Sequence, residues 1–178
     1  GGKRVALDLN YLKSLMVNAC AGLGQDVSAE PIVAETMRNL YDGVPMEEVY
    51  KASILASRTL IEKDPDYTYV TARLLMHTIA KEILGKEVTA DQLGQAYLDY
   101  FPQFIKKGVD NDLLDEKLLQ FDLKRLAEAL KPERDMQFDY LGLQTLYDRY
   151  FLHVRKTRIE MPQAFFMRVA MGLSLNEV

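Results

Sequence analysis

The chain has 178 residues, 48% of them hydrophobic and 10% aromatic, which is enough to bury a sizeable core in one ordinary domain or two small ones. Its 22 Lys and Arg against 26 Asp and Glu give a formal charge of −4, which argues against a general nucleic-acid binder because such proteins need a concentrated basic face. The single cysteine, Cys20, excludes an internal disulfide and is typical of the reducing cytoplasm. The sequence has no apolar run of about 18 residues that would predict a membrane-spanning helix.

Apolar residues at helical spacing dominate the first half of the sequence, and Gly and Pro interrupt them. The pattern predicts four helices, from Leu9 to Leu23, from Ser28 to Leu40, from the turn at 41–45 to the break at 63–66, and from Tyr67 to Gly85. Ser28 is the expected cap of the second helix, since its hydroxyl can accept a hydrogen bond from an exposed amide.

The second half predicts shorter elements. Thr89 and Gln92 have the spacing of a capping box, and we expect Pro102 to kink or shorten the helix behind it and Gly108 to close it. Further helices are predicted over 113–119, 123–130, 137–151 and from Pro162 through Met171, with a small hairpin or extended loop over 152–159. The predicted fold is therefore all-α, a multi-helix orthogonal bundle with at most one small β-hairpin near 152–159.

The sequence carries no complete catalytic site. It lacks the Gly-x-Gly-x-x-Gly, Walker-type and His-Glu-x-x-His motifs. His77 and His153 lie alone on different elements, without other ligands at metal-binding spacing. Cys20 is better explained as a small packing residue than as a nucleophile. We therefore predict no catalytic residue and no metal ligand in this chain.

Two pairs of sequence strings are more specific than a helical bundle requires. The first pair is Leu40-Tyr41-Asp42-Gly43-Val44 followed by Asp64-Pro65-Asp66-Tyr67. The second is Arg134-Asp135-Met136, continuing to Leu141-Gly142-Leu143-Gln144-Thr145-Leu146, followed by Glu160-Met161-Pro162-Gln163. We expect Arg134, Asp135 and Asp139 to form a charge cluster at a helix start, against a neighbouring element.

With these strings the chain resembles the N-terminal region of the large (alpha) subunit of class I ribonucleoside-diphosphate reductase. The first pair resembles the helical half of the ATP-cone, the nucleotide-sensing module of that family. The second pair resembles the all-α domain that precedes its catalytic barrel. The resemblance implies a partial or degenerate ATP-cone-like subdomain over 1–86 and an all-α N-terminal domain over 87–178, truncated before the barrel.

The resemblance also implies a function. The parent enzyme would reduce ribonucleoside diphosphates to deoxyribonucleotides for DNA synthesis, with cysteines beyond Val178, so this segment would be regulatory and scaffolding and inactive alone. The expected partners are the rest of the large subunit, the radical-generating small subunit and a second large subunit, with no nucleic acid and no membrane. ATP and dATP would be allosteric effectors of the parent, and no cofactor is expected in the segment itself.

Lys81 is the candidate effector-binding residue that the resemblance implies, because it matches a basic position that contacts phosphate. A full ATP-cone begins with a basic β-hairpin, of which this chain shows only Lys3-Arg4-Val5-Ala6. Tyr11 and Met46 stand where functional cones tend to place Lys and Thr. Either the hairpin has been cut away or this is a second, degenerate cone, and the two replacements favour degeneracy.

A free-standing helical interaction module, without catalytic or nucleotide-binding activity, is the alternative. Its partner would dock on surfaces formed by Tyr67 and Tyr69 and by Tyr97, Tyr100 and Phe101, although burial is the commoner fate of such aromatic residues.

Overall fold

A computed structural model describes residues 2–177. The α-helices among these residues are α1 Leu9–Ala19, α2 Glu30–Arg38, α3 Met46–Thr59, α4 Tyr67–Leu84, α5 Leu93–Asp110, α6 Leu123–Ala129, α7 Tyr140–Thr145 and α8 Pro162–Ser174. The strands are β1 His153–Val154 and β2 Thr157–Arg158. The predicted all-α class and the single hairpin are both confirmed. Within the described residues, no helix is both long and apolar enough to cross a membrane.

The chain divides into two compact units. Unit 1 contains the described residues up to Leu75 together with Phe138–Leu143, and unit 2 contains Met76–Gln137 and the described residues from Gln144 onward. Helix α4 supplies its first nine residues to unit 1 and its remaining turns to unit 2. The subdomain boundary predicted at residue 86 remains a prediction.

Unit 1 is built from amphipathic helices that share one apolar core. That core consists of Leu12, Met16, Ala19, Ile32, Val49, Tyr50, Ala56, Tyr67, Val70 and Leu74. Helix α2 begins two residues later than predicted, but the Ser28 hydroxyl still accepts a hydrogen bond from the Glu30 amide, at 3.2 Å. The turn before α3 contains Gly43 at φ +83°, a conformation that side chains with a Cβ rarely adopt.

The long helix α5 organises unit 2, and it runs through Pro102 without ending there. Of the two predicted effects of Pro102, shortening of the helix was wrong, and a kink remains a prediction. Proline within a helix costs about 3 kcal/mol. Phe101, Phe104 and Ile105 are almost fully buried, and burying each side chain contributes about 1.5 to 3 kcal/mol. The free energy gained by burying these side chains therefore exceeds the cost of the proline.

Gly108 does not close α5, which continues to Asp110. Its role is steric, because a Cβ at this position would lie 2.4 Å from Leu114 Cδ1. The Gly108 carbonyl also accepts a hydrogen bond from the Leu113 amide at 2.8 Å. Glycine therefore allows the following loop to fold back directly onto the helix.

The segments after α5 are more broken than predicted. The expected helix over 113–119 is a 3₁₀ turn over Glu116–Gln120, and the expected helix over 137–151 is α7 followed by a π-helical turn over Leu146–Tyr150. Asp139 starts α7, since its carboxylate accepts a hydrogen bond from the Gly142 amide at 2.7 Å.

The hairpin pairs His153 with Arg158 and Val154 with Thr157 in antiparallel register. Its two-residue turn places Arg155 at φ +50° and Lys156 at φ +73°. Positive φ at both central residues defines a type I′ turn, whose twist matches that of the strands, although Asn and Gly adopt it more easily.

Candidate functional site

Lys81, the candidate for effector phosphate, lies in the last turn of α4 and is paired with an acid. Its Nζ is 3.2 Å from Glu87 Oε1, and the other oxygen of Glu87 lies 2.5 Å from His77 Nε2, one helical turn earlier. A carboxylate between the two basic side chains offsets the charge that would attract a phosphate. An effector would therefore compete with an intramolecular ion pair for Lys81.

The residues at the other positions where the resemblance expects an effector contact, Tyr11 and Met46, are in unit 1. Met46 is the first residue of α3 and packs against the apolar core of the unit. The Tyr11 amide donates to the Asp8 carboxylate at 3.0 Å, which caps α1. Residues 2–8, including Lys3 and Arg4, form neither helix nor strand. The basic hairpin of a full cone is thus not formed by these residues.

Cys20 follows the end of α1, where it packs partly buried against the core of unit 1. Burial raises the pKa of its thiol, while the Arg73 guanidinium acts in the opposite direction. A raised pKa keeps the thiol protonated near neutral pH and makes it a poor nucleophile. Among the residues from 2 to 177, no group of three or more His, Cys, Asp and Glu side chains is placed to hold a metal ion.

The aromatic residues of the predicted docking surfaces do not form such surfaces. Tyr97 and Phe101 are fully buried, Tyr67 is 4% exposed, and Tyr69 and Tyr100 are partly buried. The predicted docking surfaces were therefore wrong. Burying an aromatic ring is more favourable than exposing it to water, and the hydroxyl groups of Tyr67, Tyr97 and Tyr100 donate hydrogen bonds to backbone or carboxylate oxygens.

The string Asp64-Pro65-Asp66-Tyr67 is explained by contacts within unit 1. The Asp64 carboxylate accepts a hydrogen bond from the Asp66 amide at 2.9 Å, which forms the turn into α4. Tyr67 then uses its hydroxyl as acceptor from the Ser28 amide at 2.9 Å and as donor to the Ser28 carbonyl at 3.1 Å. These bonds fix the segment before α2, so the motif organises the unit.

Asp135, from the second motif, lies at the centre of a buried polar group in unit 2. Its side chain is 1% exposed and accepts hydrogen bonds from the Tyr97 hydroxyl at 2.6 Å and from Gln163 Nε2 at 2.9 Å. Burial raises the pKa of this carboxyl to about 6, although the two hydrogen bonds lower it. The group joins the turn at 132–137 to α5 and to the start of α8.

Tyr97 and Tyr100, one turn apart on α5, hold the junction between the hairpin and α8. The Tyr100 hydroxyl donates to the Ile159 carbonyl and accepts from the Met161 amide at 3.2 Å. The Tyr97 hydroxyl accepts from the Gln163 amide at 3.2 Å. The backbone amides at the start of a helix have no hydrogen-bond acceptor within the helix. The two tyrosine hydroxyls accept hydrogen bonds from two such amides, those of Met161 and Gln163 on either side of Pro162.

Glu160 is fully buried and forms a two-point ion pair with Arg168 of α8. Arg168 Nε lies 2.6 Å from one carboxylate oxygen and Nη2 lies 2.9 Å from the other. The Leu152 amide donates a third hydrogen bond at 3.1 Å. Burial raises the pKa of this carboxyl, and the bonds from Arg168 oppose the shift. Glu160 thus connects Arg168 of α8 to Leu152, the residue before β1.

A third polar contact joins α4 to the hairpin. Glu82 accepts hydrogen bonds from the Tyr147 hydroxyl at 2.6 Å and from the Arg158 amide at 3.2 Å. The Arg158 guanidinium lies over the Tyr147 ring at 4.8 Å and donates to the Tyr147 carbonyl at 3.1 Å. The pKa of the Tyr147 hydroxyl is raised to about 12, chiefly by burial and next by its hydrogen bond to Glu82. The groups around Asp135 and Glu160 are buried and the group around Glu82 is half-buried. We refer to the three together as the buried polar network.

The buried polar network was not predicted from the sequence, although three of its residues, Asp135, Glu160 and Gln163, belong to the motif strings. Asp135 was expected in a charge cluster with Arg134 and Asp139, but Arg134 is exposed and Asp139 caps α7. One signal was present: Glu160-Met161-Pro162-Gln163 places two polar residues beside a helix-starting proline in an otherwise apolar stretch. Chemically, the network positions backbone segments and offers neither a nucleophile nor an open ligand site.

Comparison with known proteins agrees with the motif strings. A family model described as "Ribonucleotide reductase, all-alpha domain" matches residues 136–178. The chain is 42% identical over 176 residues to the ribonucleoside-diphosphate reductase subunit alpha of Chlamydia trachomatis, with 99% of this chain and 17% of the relative covered. It is 32% identical to the corresponding subunit of Helicobacter pylori, with 99% and 21% covered. The ribonucleoside-diphosphate reductase large subunit of Danio rerio is 27% identical, with 99% and 22% covered.

The chain therefore spans about one fifth of the length of the relatives it matches.

Proposed function

Because the chain is homologous along 99% of its length to a segment of ribonucleoside-diphosphate reductase large subunits, we propose that it is a regulatory and scaffolding segment of such a subunit. The parent subunit would reduce ribonucleoside diphosphates to deoxyribonucleotides. Its partners would be the radical-generating small subunit and a second large subunit. The segment itself would supply structure and not chemistry.

The buried polar network is the observation that best supports the scaffolding role. Asp135, Glu160 and Gln163 come from the motif strings, and their polar atoms are bound to α5, α8 and the hairpin. Buried polar side chains need satisfied partners, and no buried side-chain N or O atom of the described residues lacks one. A network in which every member is satisfied specifies one arrangement of the helices.

For the regulatory role, we propose that this segment contains a degenerate effector site. ATP and dATP would act as effectors of the parent subunit, and Lys81 is the residue of this segment that would contact their phosphates. Its ion pair with Glu87, and the packing role of Met46, argue for a degenerate effector site. An intact site elsewhere in the parent subunit would then carry effector binding.

Activity measurements separate these roles. The chain by itself, and the large subunit that contains it, are each incubated with small subunit, reductant and a ribonucleoside diphosphate. We expect turnover only in the second case, because Cys20 is the one thiol of the chain and a radical reduction of this type needs several. Reductant-dependent turnover by the 178-residue chain would overturn the proposal.

Two variants of the large subunit complete the experiment. Asp135→Ala should lower activity and loosen the segment, because it leaves the Tyr97 hydroxyl and the Gln163 amide without their buried acceptor. Lys81→Ala is the matched control. It should leave the activity and its response to dATP within about twofold of the parent, a smaller change than the factor of ten that corresponds to about 1.4 kcal/mol. Loss of the dATP response in Lys81→Ala would show that this segment carries the effector site.

A further inference from the structure

The hairpin of unit 2 and the residues just before it are strongly basic. Residues 149–158 contain four Lys and Arg, one His and no Asp or Glu, whereas the whole chain has more acidic than basic residues. Arg149, His153, Arg155 and Lys156 are exposed to solvent. We name these four residues the basic tip. The positive charge of the chain is therefore concentrated at one place on its surface.

The charge of the basic tip is not offset by acidic side chains. Within residues 2–177, none of its four residues is part of an ion pair. The nearby Asp148 carboxylate accepts a hydrogen bond from Gln144 Nε2 at 2.9 Å. Glu82 is bound to the Tyr147 hydroxyl. The tip can therefore attract an anion without first breaking an ion pair within the chain.

The turn of the hairpin is built from residues that do not favour its backbone conformation. Arg155 has φ +50° and Lys156 has φ +73°. A type I′ turn needs positive φ at both positions, which Asn followed by Gly adopts most easily. Among the described residues, Asp112 is the one other non-glycine residue with a positive φ. Backbone strain of this kind is typical of sites where a side chain serves a function and not the fold.

Hydrogen bonds to the rest of unit 2 hold the backbone beneath the tip. The Arg158 amide donates to Glu82 at 3.2 Å, and its guanidinium donates to the Tyr147 carbonyl at 3.1 Å and the Asp148 carbonyl at 3.3 Å. These bonds connect β2 to the π-helical turn that carries Arg149. An element that is already ordered loses little conformational entropy when a partner binds.

We propose that the basic tip binds an acidic surface patch of another protein. Arginine side chains bind carboxylates through paired, charge-assisted hydrogen bonds. Removing the four positive charges of residues 149–158 from the formal charge of −4 leaves −8 for the rest of the chain. That remainder repels a long polyanion such as nucleic acid, whereas a local acidic patch meets only the tip.

A protein surface fits the tip better than a small phosphate compound does. Small-molecule sites are concave and enclose most of their ligand. The side chains of the basic tip are instead exposed around a two-residue turn. The inference does not depend on the proposed function, because all of its observations come from the hairpin and its supports.

Titration of the 178-residue chain with a fluorescent peptide of about ten glutamates tests the proposal, at an ionic strength of about 0.05 M to limit screening. Arg155→Asn combined with Lys156→Gly removes two charges and supplies the residue pair that the turn prefers. We expect the affinity for the peptide to fall by about fivefold or more. The melting temperature should rise by about 2 °C or more, because the strain is relieved.

Lys106→Gln combined with Lys107→Gln is the matched control. Both lysines are exposed on α5 of the same unit, and the variant loses the same charge. It should change the affinity for the peptide by less than about twofold, since these residues lie outside the basic tip.

Four results would overturn the inference. The first is no binding of the peptide by the unsubstituted chain at concentrations up to about millimolar. The second is an equal loss of affinity in the two variants, which would make net charge the cause. The third is a lower melting temperature of the turn variant, which would give Arg155 and Lys156 a role in folding. The fourth is tighter binding of inorganic triphosphate or of a DNA strand of about ten nucleotides than of the peptide, which would assign the tip to phosphate.

Discussion

The carboxyl group of Asp135 should make the stability of this chain depend on pH. Its pKa in the folded chain is raised from 3.8 to about 6, and the largest cause is burial. The shift of about 2 units corresponds to about 3 kcal/mol in the free energy of unfolding, at 1.36 kcal/mol per unit. Because the folded-state pKa is raised, the stabilisation is fully present below about pH 4 and is lost as the pH rises through about 6.

Asp135→Asn isolates this effect, because asparagine has the same shape and does not titrate. Its amide can still bind Tyr97 and Gln163, since the Gln163 side-chain amide can turn to present either donor or acceptor. The variant should therefore fold and lose most of the decline in stability between about pH 4 and 8. Glu160 has a raised pKa of the same sign, so a smaller decline should remain.

Urea denaturation at several pH values measures the difference. The gap between Asp135→Asn and the parent chain should change by about 3 kcal/mol from pH 4 to pH 8, in favour of the variant at high pH. Asp135→Ala is the contrasting variant. It should be destabilised by about 2 to 6 kcal/mol at every pH, because two buried donors lose their acceptor. Parallel pH profiles for the parent chain and Asp135→Asn would show that Asp135 is not the titrating group.

The Glu160–Arg168 pair and Lys81 give further predictions. Arg168→Met should destabilise the chain by about 3 to 5 kcal/mol near neutral pH, since it leaves a buried carboxylate unpaired, and adding Glu160→Gln should recover part of that loss in the same denaturation assay. Equal destabilisation in the single and double variants would contradict the charge argument. Calorimetric titration of this chain should show ATP and dATP binding no tighter than about millimolar, because each missing contact to a triphosphate costs about 1 to 3 kcal/mol. A micromolar dissociation constant that Lys81→Ala abolishes would mean that the effector site is intact.

The parts of the fold that were predicted correctly depend on residues close together in the sequence. Helix starts and ends follow from residues whose effect is confined to a turn or two of backbone. Pro162 begins α8, Gly43 takes a positive φ before α3, and Gly85 takes φ +70° at the end of α4. The alternation over 152–159 predicted a small hairpin or an extended loop, and the structure has the hairpin. The motif strings likewise indicated the homology that the comparisons found.

Contacts between residues far apart in the sequence determined the features of the fold that were not predicted. Helix α5 passes Pro102 because the energy of burying Phe101, Phe104 and Ile105 exceeds the local cost of the proline. The sequence does not show that the energy of burial exceeds the cost of the proline, since burial depends on which other elements cover a residue.

The same reason explains the polar residues. Asp135 is bound to Tyr97 and Gln163, which lie 38 and 28 positions away along the chain. Lys81 has its charge offset by Glu87 through a turn whose direction no periodicity predicts. The sequence by itself determined which segments are helical and which family they resemble. The tertiary structure decided which polar groups are buried together, because desolvation and pairing depend on distances that only the folded chain establishes.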